Sequence, residues 1–301
     1  MKKFAAQFIF SFLFLTHPFN SFAQQPQGYG PWNRDLNFFE SANGYTFTQK
    51  EMTVERAGVP NLARGSDGTL YLAFQWFSLE WRQAFDQIAV IKSEDDGKNW
   101  TEPEPISIEQ FPKNLYRAFD PTLTALPEGG FRLYFTSERV TQQKPRGNRA
   151  IFSARSKDGI NFTFEPGQRF GFEENETYDP AVVNFQGVWH LYCPVSGQEG
   201  AGYHAVSNDG LNFTQLENVH VSEPNIWIGN AMVYKGEVWF YGSGRHVWRA
   251  HSSDGANWTV DLGLRLDGGD PAVIVKQDGN LLGVTTGELR SDAFREYPFQ
   301  N

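Results

Sequence analysis

The chain has 301 residues, a formal net charge of −9, 16% aromatic residues and a single cysteine. So acidic a chain lacks the positive field that nucleic acid or an anionic membrane requires, which excludes those partners and leaves neutral or cationic small ligands, sugars included. One cysteine, Cys193, allows no intramolecular disulfide, so the apolar core alone must hold the fold.

The first segment pairs Lys2 and Lys3 with an apolar run over residues 4–15 and then a small-x-small pattern, Ser21-Phe22-Ala23. This pattern predicts a secretory signal peptide over 1–23 with cleavage after Ala23, hence a secreted or periplasmic protein. The run is too short to span a bilayer, and no later stretch is long enough. Loss of the two lysines takes the charge from −9 to −11. Residues 24–33 begin rich in Gln, Pro and Gly and read as a flexible lead-in, which leaves 34–301 as one domain.

From there the chain repeats itself. The strand-like run "RDLNFFES" ends on "SANGYTFT" (41–48), and the phrase returns as "SEDDGKNWT" (93–101), "SKDGINFT" (156–163), "SNDGLNFT" (207–214) and "SSDGANWT" (252–259). Each later copy follows a strand-like run, and upstream lies a glycine-led strand: "GTLYLAFQWF" from Gly68, "GFRLYFTS" from Gly130, "GVWHLYCPVS" from Gly187 and "GEVWFYGSG" from Gly236. "GNLLGVTTG" from Gly279 ends the series. Before these come short apolar strands opening at Val59, Asp120, Asp179, Gly229 and Asp270.

The unit is strand, glycine hairpin, strand, loop, strand, turn, strand, which is one four-stranded antiparallel propeller blade. Five first strands predict an all-β, five-bladed β-propeller. Its last unit stops after two strands, so residues from about Arg34 to Val54 are expected to complete the last blade and hide the sheet edge.

Turn chemistry accounts for the repeated phrase. Asp or Asn accepts backbone hydrogen bonds, Gly supplies a positive φ, and an aromatic residue (Phe47, Trp100, Phe162, Phe213, Trp258) packs between sheets. The turns are expected to be structural, and the Asn-x-Thr sequons they create at Asn99, Asn161, Asn212 and Asn257 need no glycosylation to explain them.

A site is expected where first strands begin, since these line the channel. Three of the five leading residues are aspartates: Asp120, Asp179 and Asp270. Carboxylates crowded at one mouth repel, so at least one should hold its proton, which suits acid/base work on sugars. The bland alternative is a recurrent Asp-Pro turn device at strand starts. Glu223 joins them as a candidate acid. Candidate binding residues are Arg117, Asn61, Tyr178, Trp227, His204, Arg245, His246 and Trp76. Trp76, with Trp81 beside it on the long loop of blade one, would stack on a sugar ring; otherwise Trp76 is core. No cofactor is expected. Three aspartates admit a structural Ca²⁺, but no spacing supports one.

Over nearly the whole length after residue 23 the chain resembles the five-bladed glycoside hydrolases, the invertase-like and arabinanase/xylosidase-like propellers. "RAFDP" (117–121) is similar to their Arg-Asp-Pro region, and "VPNLARGSDGTLYLAFQW" to their Asp-Pro-Asn opening, in which Asn61 falls. The resemblance implies working carboxylates on blades one, two and three as Asp, Asp and Glu. Here Asp120 matches the second, Val59 stands at the first and Asp179 at the third. A rearranged pair is implied, with Asp179 or Glu223 as acid and Asp120 or Asp270 as base.

The turn phrase resembles the Asp-box of sialidases, and residues 93–100 match Ser-x-Asp-x-Gly-x-x-Trp in full. Sialidase resemblance implies six blades and an Arg-Ile-Pro opening, whereas this chain reads Arg56-Ala57-Gly58-Val59-Pro60. The expected function is an exported glycoside hydrolase acting on an oligo- or polysaccharide as a monomer. The alternatives are a non-catalytic glycan-binding propeller and a sialidase-like exo-glycosidase. Proteases, zinc enzymes and nucleotide enzymes are set aside, because their motifs are missing from the sequence.

Overall fold

Glycine turns followed by apolar runs become hairpins because positive φ is cheap at glycine and the runs bury on both faces. In the computed structural model, which describes residues 30–140, 147–296 and 298, these hairpins build five small antiparallel sheets arranged as the blades of a five-bladed propeller. The signal peptide expected over 1–23, and residues 24–29 of the lead-in, lie outside the described residues.

Blade one orders Ala57–Arg64, Leu70–Trp76, Gln87–Ser93 and Glu104–Pro105. Blade two orders Phe119–Ala125, Phe131–Glu138, Arg149–Ser156 and Asn161–Phe170, and Ser107–Glu109 adds a parallel strand at its rim. Blade three runs Ala181–Phe185, Val188–Pro194 and Ala201–Ser207, then the short Thr214–Gln215 and Val219–His220. Blade four is Ile226–Tyr234, Glu237–Ser243, Trp248–Ser252 and Thr259–Asp261. Blade five draws on both ends of the described chain: Gly269–Val275 and Leu281–Leu289 are followed in the sheet by Arg34–Ser41 and Thr48–Val54. Phe38 faces Val284 across that junction. The turn Pro31–Asn33 precedes it, and the buried Asn33 amide donates to the Phe294 carbonyl at 2.7 Å and accepts from the Phe294 N–H at 2.8 Å.

The core lies in the seams. Among the described residues five buried apolar clusters occur, one between each pair of neighbouring blades. At the seam of blades three and four, Tyr192 stacks on Trp227, which meets Phe240 edge-on at a ring distance of 4.7 Å. Two amides strap seams directly. Asn61 Oδ1 accepts the Leu123 N–H, and Asn230 accepts from the Val273 N–H while donating to its carbonyl.

The repeated turn phrases share one hydrogen-bond scheme. In the copy at Ser207, the hydroxyl donates to Asp209 Oδ1 and accepts from the Gly210 N–H, while Asp209 Oδ1 also takes the N–H groups of Leu211 and Asn212. The side-chain amides of the sequon residues Asn99, Asn161, Asn212 and Asn257 all donate to the turn aspartate, which is their structural use. The turn of each blade seats on the blade before it. Tyr134 of blade two donates to the Gly210 carbonyl at 2.8 Å, and Tyr192 of blade three donates to the Gly255 carbonyl at 2.8 Å.

In blades one, two and five the first strand begins with an irregularity that aims one residue at the axis. The ladder skips between Gly58 and Asn61, Phe119 and Thr122, and Gly269 and Ala272, so two residues oppose one. Val59, Asp120, Asp179 and Asp270 all take φ between 44 and 52° there. In blade four, counting back two residues from the Asn230 strap as from Asn61 gives Ile228. Gly229, the leading residue expected from sequence, is therefore one place too late.

Candidate active site at the propeller axis

Positive φ at a leading residue turns its N–H towards the preceding blade, where a hydroxyl receives it. Val59 donates to Thr286 Oγ1 at 3.1 Å, Asp179 to Thr136 Oγ1 at 3.1 Å and Asp270 to Ser243 Oγ at 2.7 Å. The side chains thereby converge. Asp120, Asp179, Asp270, Val59 and Ile228 line one narrow notch of about 10 Å³ and also the wider funnel of about 1270 Å³ that opens above it. The three aspartates predicted from sequence are thus brought together on one floor.

Their electrostatics differ. Removal from water pushes the Asp179 carboxyl well above the usual range, and the charges of Asp120 and Asp270 push it further, against the pull of the Arg149 guanidinium. Asp120 is raised by burial too, opposed by the Thr136 hydroxyl and by Arg149. Asp120 stands beside Asp179, whose backbone N–H lies 3.4 Å from Asp120 Oδ2, so the two carboxyls share one buried corner and the charge of one favours the proton on the other. Asp270 is raised by burial but held down by the Thr286 and Ser243 hydroxyls and the charge of Arg34. The arrangement offers one strongly protonated acid beside a carboxylate better supported as an anion.

Arg149 was not singled out from sequence. Its Nε lies 3.5 Å from Glu138 and 3.6 Å from Glu176, and its guanidinium sits over the rings of Phe119 and Tyr178. Only the third-strand context marks it, and that context is shared by many arginines. Arg245 and His246 are exposed on the funnel wall, just before the third strand of blade four.

Several candidates stand elsewhere. Arg117 bonds Asp86 Oδ2 at 2.7 Å and not Asp120; Asp86 Oδ1 accepts from Gln75 Nε2 at 3.1 Å, and Gln75 reaches the funnel. Tyr178 and Glu223 line a separate depression of about 690 Å³ between blades three and four, so Glu223 is not one of the axial carboxylates. Trp227 has no exposed surface and donates its indole N–H to the Gly200 carbonyl, so it cannot stack on a sugar. His204 is 1% exposed, with its Nε2 3.0 Å from His190 Nδ1, inside the blade and not at the rim. Asn61 is consumed by its strap to Leu123, and Trp76 packs half-buried against the cluster between blades five and one. Among the described residues no group of three His, Cys, Asp or Glu is placed to hold a metal ion, and no helix is long and apolar enough to cross a membrane.

No protein-family model matches the chain, and no curated protein matches it. Solved structures do. A thermostable family-43 glycoside hydrolase superposes with a TM-score of 0.58 at 14% identity, covering 81% of this chain and 95% of that one. An endo-arabinase from Bacteroides thetaiotaomicron gives 0.57 at 15% identity, covering 79% and 96%. A family 117 glycoside hydrolase of the marine bacterium Zobellia galactanivorans gives 0.54 at 16% identity, covering 81% and 80%. At such identities the likeness lies in the architecture, and this chain has the five-bladed propeller fold found in these glycoside hydrolases.

Proposed function

We propose that this chain is a carbohydrate-active protein that hydrolyses a glycosidic bond in the axial funnel, and that it works outside the cytoplasm after loss of its amino-terminal segment. Asp179 is the general acid. Asp120 takes the Asp179 backbone N–H at 3.4 Å on Oδ2, and its charge beside Asp179 holds the proton there. Asp270 is the second carboxylate, which activates water or attacks. The observation that carries this reading is the meeting of three aspartates from three blades on the floor of an open funnel, with their proton affinities set apart.

A glycan-binding protein without turnover is the second reading. Val59, an apolar group at one of the five leading positions, favours it, since Val59 can neither give nor take a proton. Five blades speak against the sialidase-like reading, which implies six.

The test is a panel of aryl glycosides and plant, algal and host glycans, assayed with the wild type and with Asp120→Asn, Asp179→Asn and Asp270→Asn. Loss of an acid or base of this kind lowers turnover by about 10²- to 10⁴-fold. Unchanged turnover in the Asp179 and Asp270 variants rules out the assignment. Glycan binding with no turnover by the wild type leaves the binding-only reading.

A further inference from the structure

Val59 has φ 52°, and it is the one β-branched residue among the described non-glycine residues with positive φ. A side chain with a Cβ pays about 1 to 2 kcal/mol to sit in the left-handed region, and a β-branched one is an outlier there, whereas Asn, Asp or Gly would sit at lower cost. The blade repeat imposes the conformation, since Asp120, Asp179 and Asp270 share it. It does not impose valine. Strain of this sort is held where the surroundings over-determine it, and such places cluster at functional sites.

The side chain kept at this cost borders the notch below the funnel. Its volume of about 10 Å³ is that of one water-sized group. Apart from the three aspartates, its wall is Val59 and Ile228 with Pro60, Pro121 and Pro180, plus Thr122 and Gly229. Val59 stands between the aspartates of blades five and two, and Ile228 between those of blades three and five. The notch therefore has an apolar side, and its volume is that of a single carbon.

We infer that Val59 is a specificity-determining residue and that, with Ile228, it berths the methyl group of a 6-deoxy sugar at the propeller axis. This rests on the reading of the funnel as a sugar site. A hydroxymethyl in place of the methyl carries one more atom than the notch holds, and a pentose has nothing to put there.

The test uses full-length protein with sugars that differ at one carbon: L-fucose against L-galactose, and L-rhamnose against L-mannose, with D-arabinose and L-lyxose as the respective counterparts lacking that carbon. Calorimetry and saturation-transfer NMR are expected to show a deoxy sugar binding at least about tenfold more tightly than its hydroxylated partner, in line with the discrimination of an apolar pocket against an added hydroxyl. Its methyl protons should receive the strongest saturation. Val59→Asn, with folding checked by its melt, should abolish the preference and leave residual binding. Equal binding of the paired sugars, D-arabinose binding as tightly as L-fucose, or a preference that survives in Val59→Asn overturns the methyl berth while leaving the sugar site standing. Binding of no sugar or glycan in the funnel overturns both.

Discussion

The backbone N–H of Asp179 donates to Thr136 Oγ1 at 3.1 Å and lies 3.4 Å from Asp120 Oδ2, so one blade fixes the leading residue of the next. The same hydroxyl also supports Asp120. Backbone geometry, not side-chain packing, thus sets where the acids stand, and the funnel floor is as rigid as the seams that carry it.

The proton on Asp179 has a consequence for stability. Its pKa is raised by burial and by the neighbouring carboxylates, so the folded state binds more protons than the unfolded one as pH rises above the ordinary Asp range. The stability this group contributes is full in acid and lost as pH climbs through the folded value. Asp179→Asn should therefore melt higher than the wild type at pH 8 and about equally at pH 3. The two melts, read beside the turnover of the same variant, separate a site that trades stability for chemistry from a purely structural acid.

The buried histidine pair works with the opposite sign. His204 is held down to about 4 by burial and by His190, which is itself lowered, with Asp254 opposing both and Tyr192 Oη 3.2 Å from His190. Both rings are neutral in the folded protein near pH 7. The stability they contribute is present above the ordinary value of 6.5 and is lost as pH falls towards 4. His204→Gln should flatten the pH dependence of the unfolding free energy across that window, by an amount on the order of 3 kcal/mol. Urea titrations at pH 4.5 and pH 7 measure it, and an unchanged slope would show that the pair charges freely.

The fold could be read from the sequence because each blade states its own turns: Ser207, Asp209 and Gly210 satisfy one another within four residues. The axial aspartates were legible for the same reason, since they open strands whose period repeats. What the sequence did not tell was which partner lies across a seam. Arg117 precedes Asp120 by three residues, yet it turns to Asp86 of the neighbouring blade. Trp227, a binding candidate by its place before blade four, is the centre of an aromatic cluster, because strand Ile226–Tyr234 starts one residue before it and points it inward. The hydroxyls of Thr136, Ser243 and Thr286 set the site and carry no signal beyond being Ser or Thr at the ends of second strands.

The seat between turn and blade predicts a pair of variants. A methyl added at Gly210, φ 69°, would stand 2.5 Å from Arg132 Nη1 and 2.7 Å from Tyr134 Oη. Gly210→Ala therefore meets both a left-handed backbone and a filled seat, and should cost about 2 to 4 kcal/mol. Tyr134→Phe removes the donor to the Gly210 carbonyl while keeping the ring, and should cost about 1 to 2 kcal/mol. Denaturant midpoints of the two variants check the order. A Gly210→Ala variant as stable as the wild type would mean that the turn is not seated on blade two.

Val59 offers a gain instead of a loss. Replacing it with Asn leaves the N–H to Thr286 Oγ1 in place, because that bond is made by the backbone, and puts at φ 52° a residue that tolerates the left-handed region. Val59 is only half-buried, so little apolar burial is forfeited. Val59→Asn should raise the unfolding free energy by about 1 kcal/mol, where most substitutions at a channel lower it. Val59→Ala keeps a Cβ in the same backbone conformation but removes the β-branch, and should recover only part of that gain. A urea series on the three proteins decides it: if Asn lowers stability, the packing of valine on the channel wall outweighs the strain of its backbone.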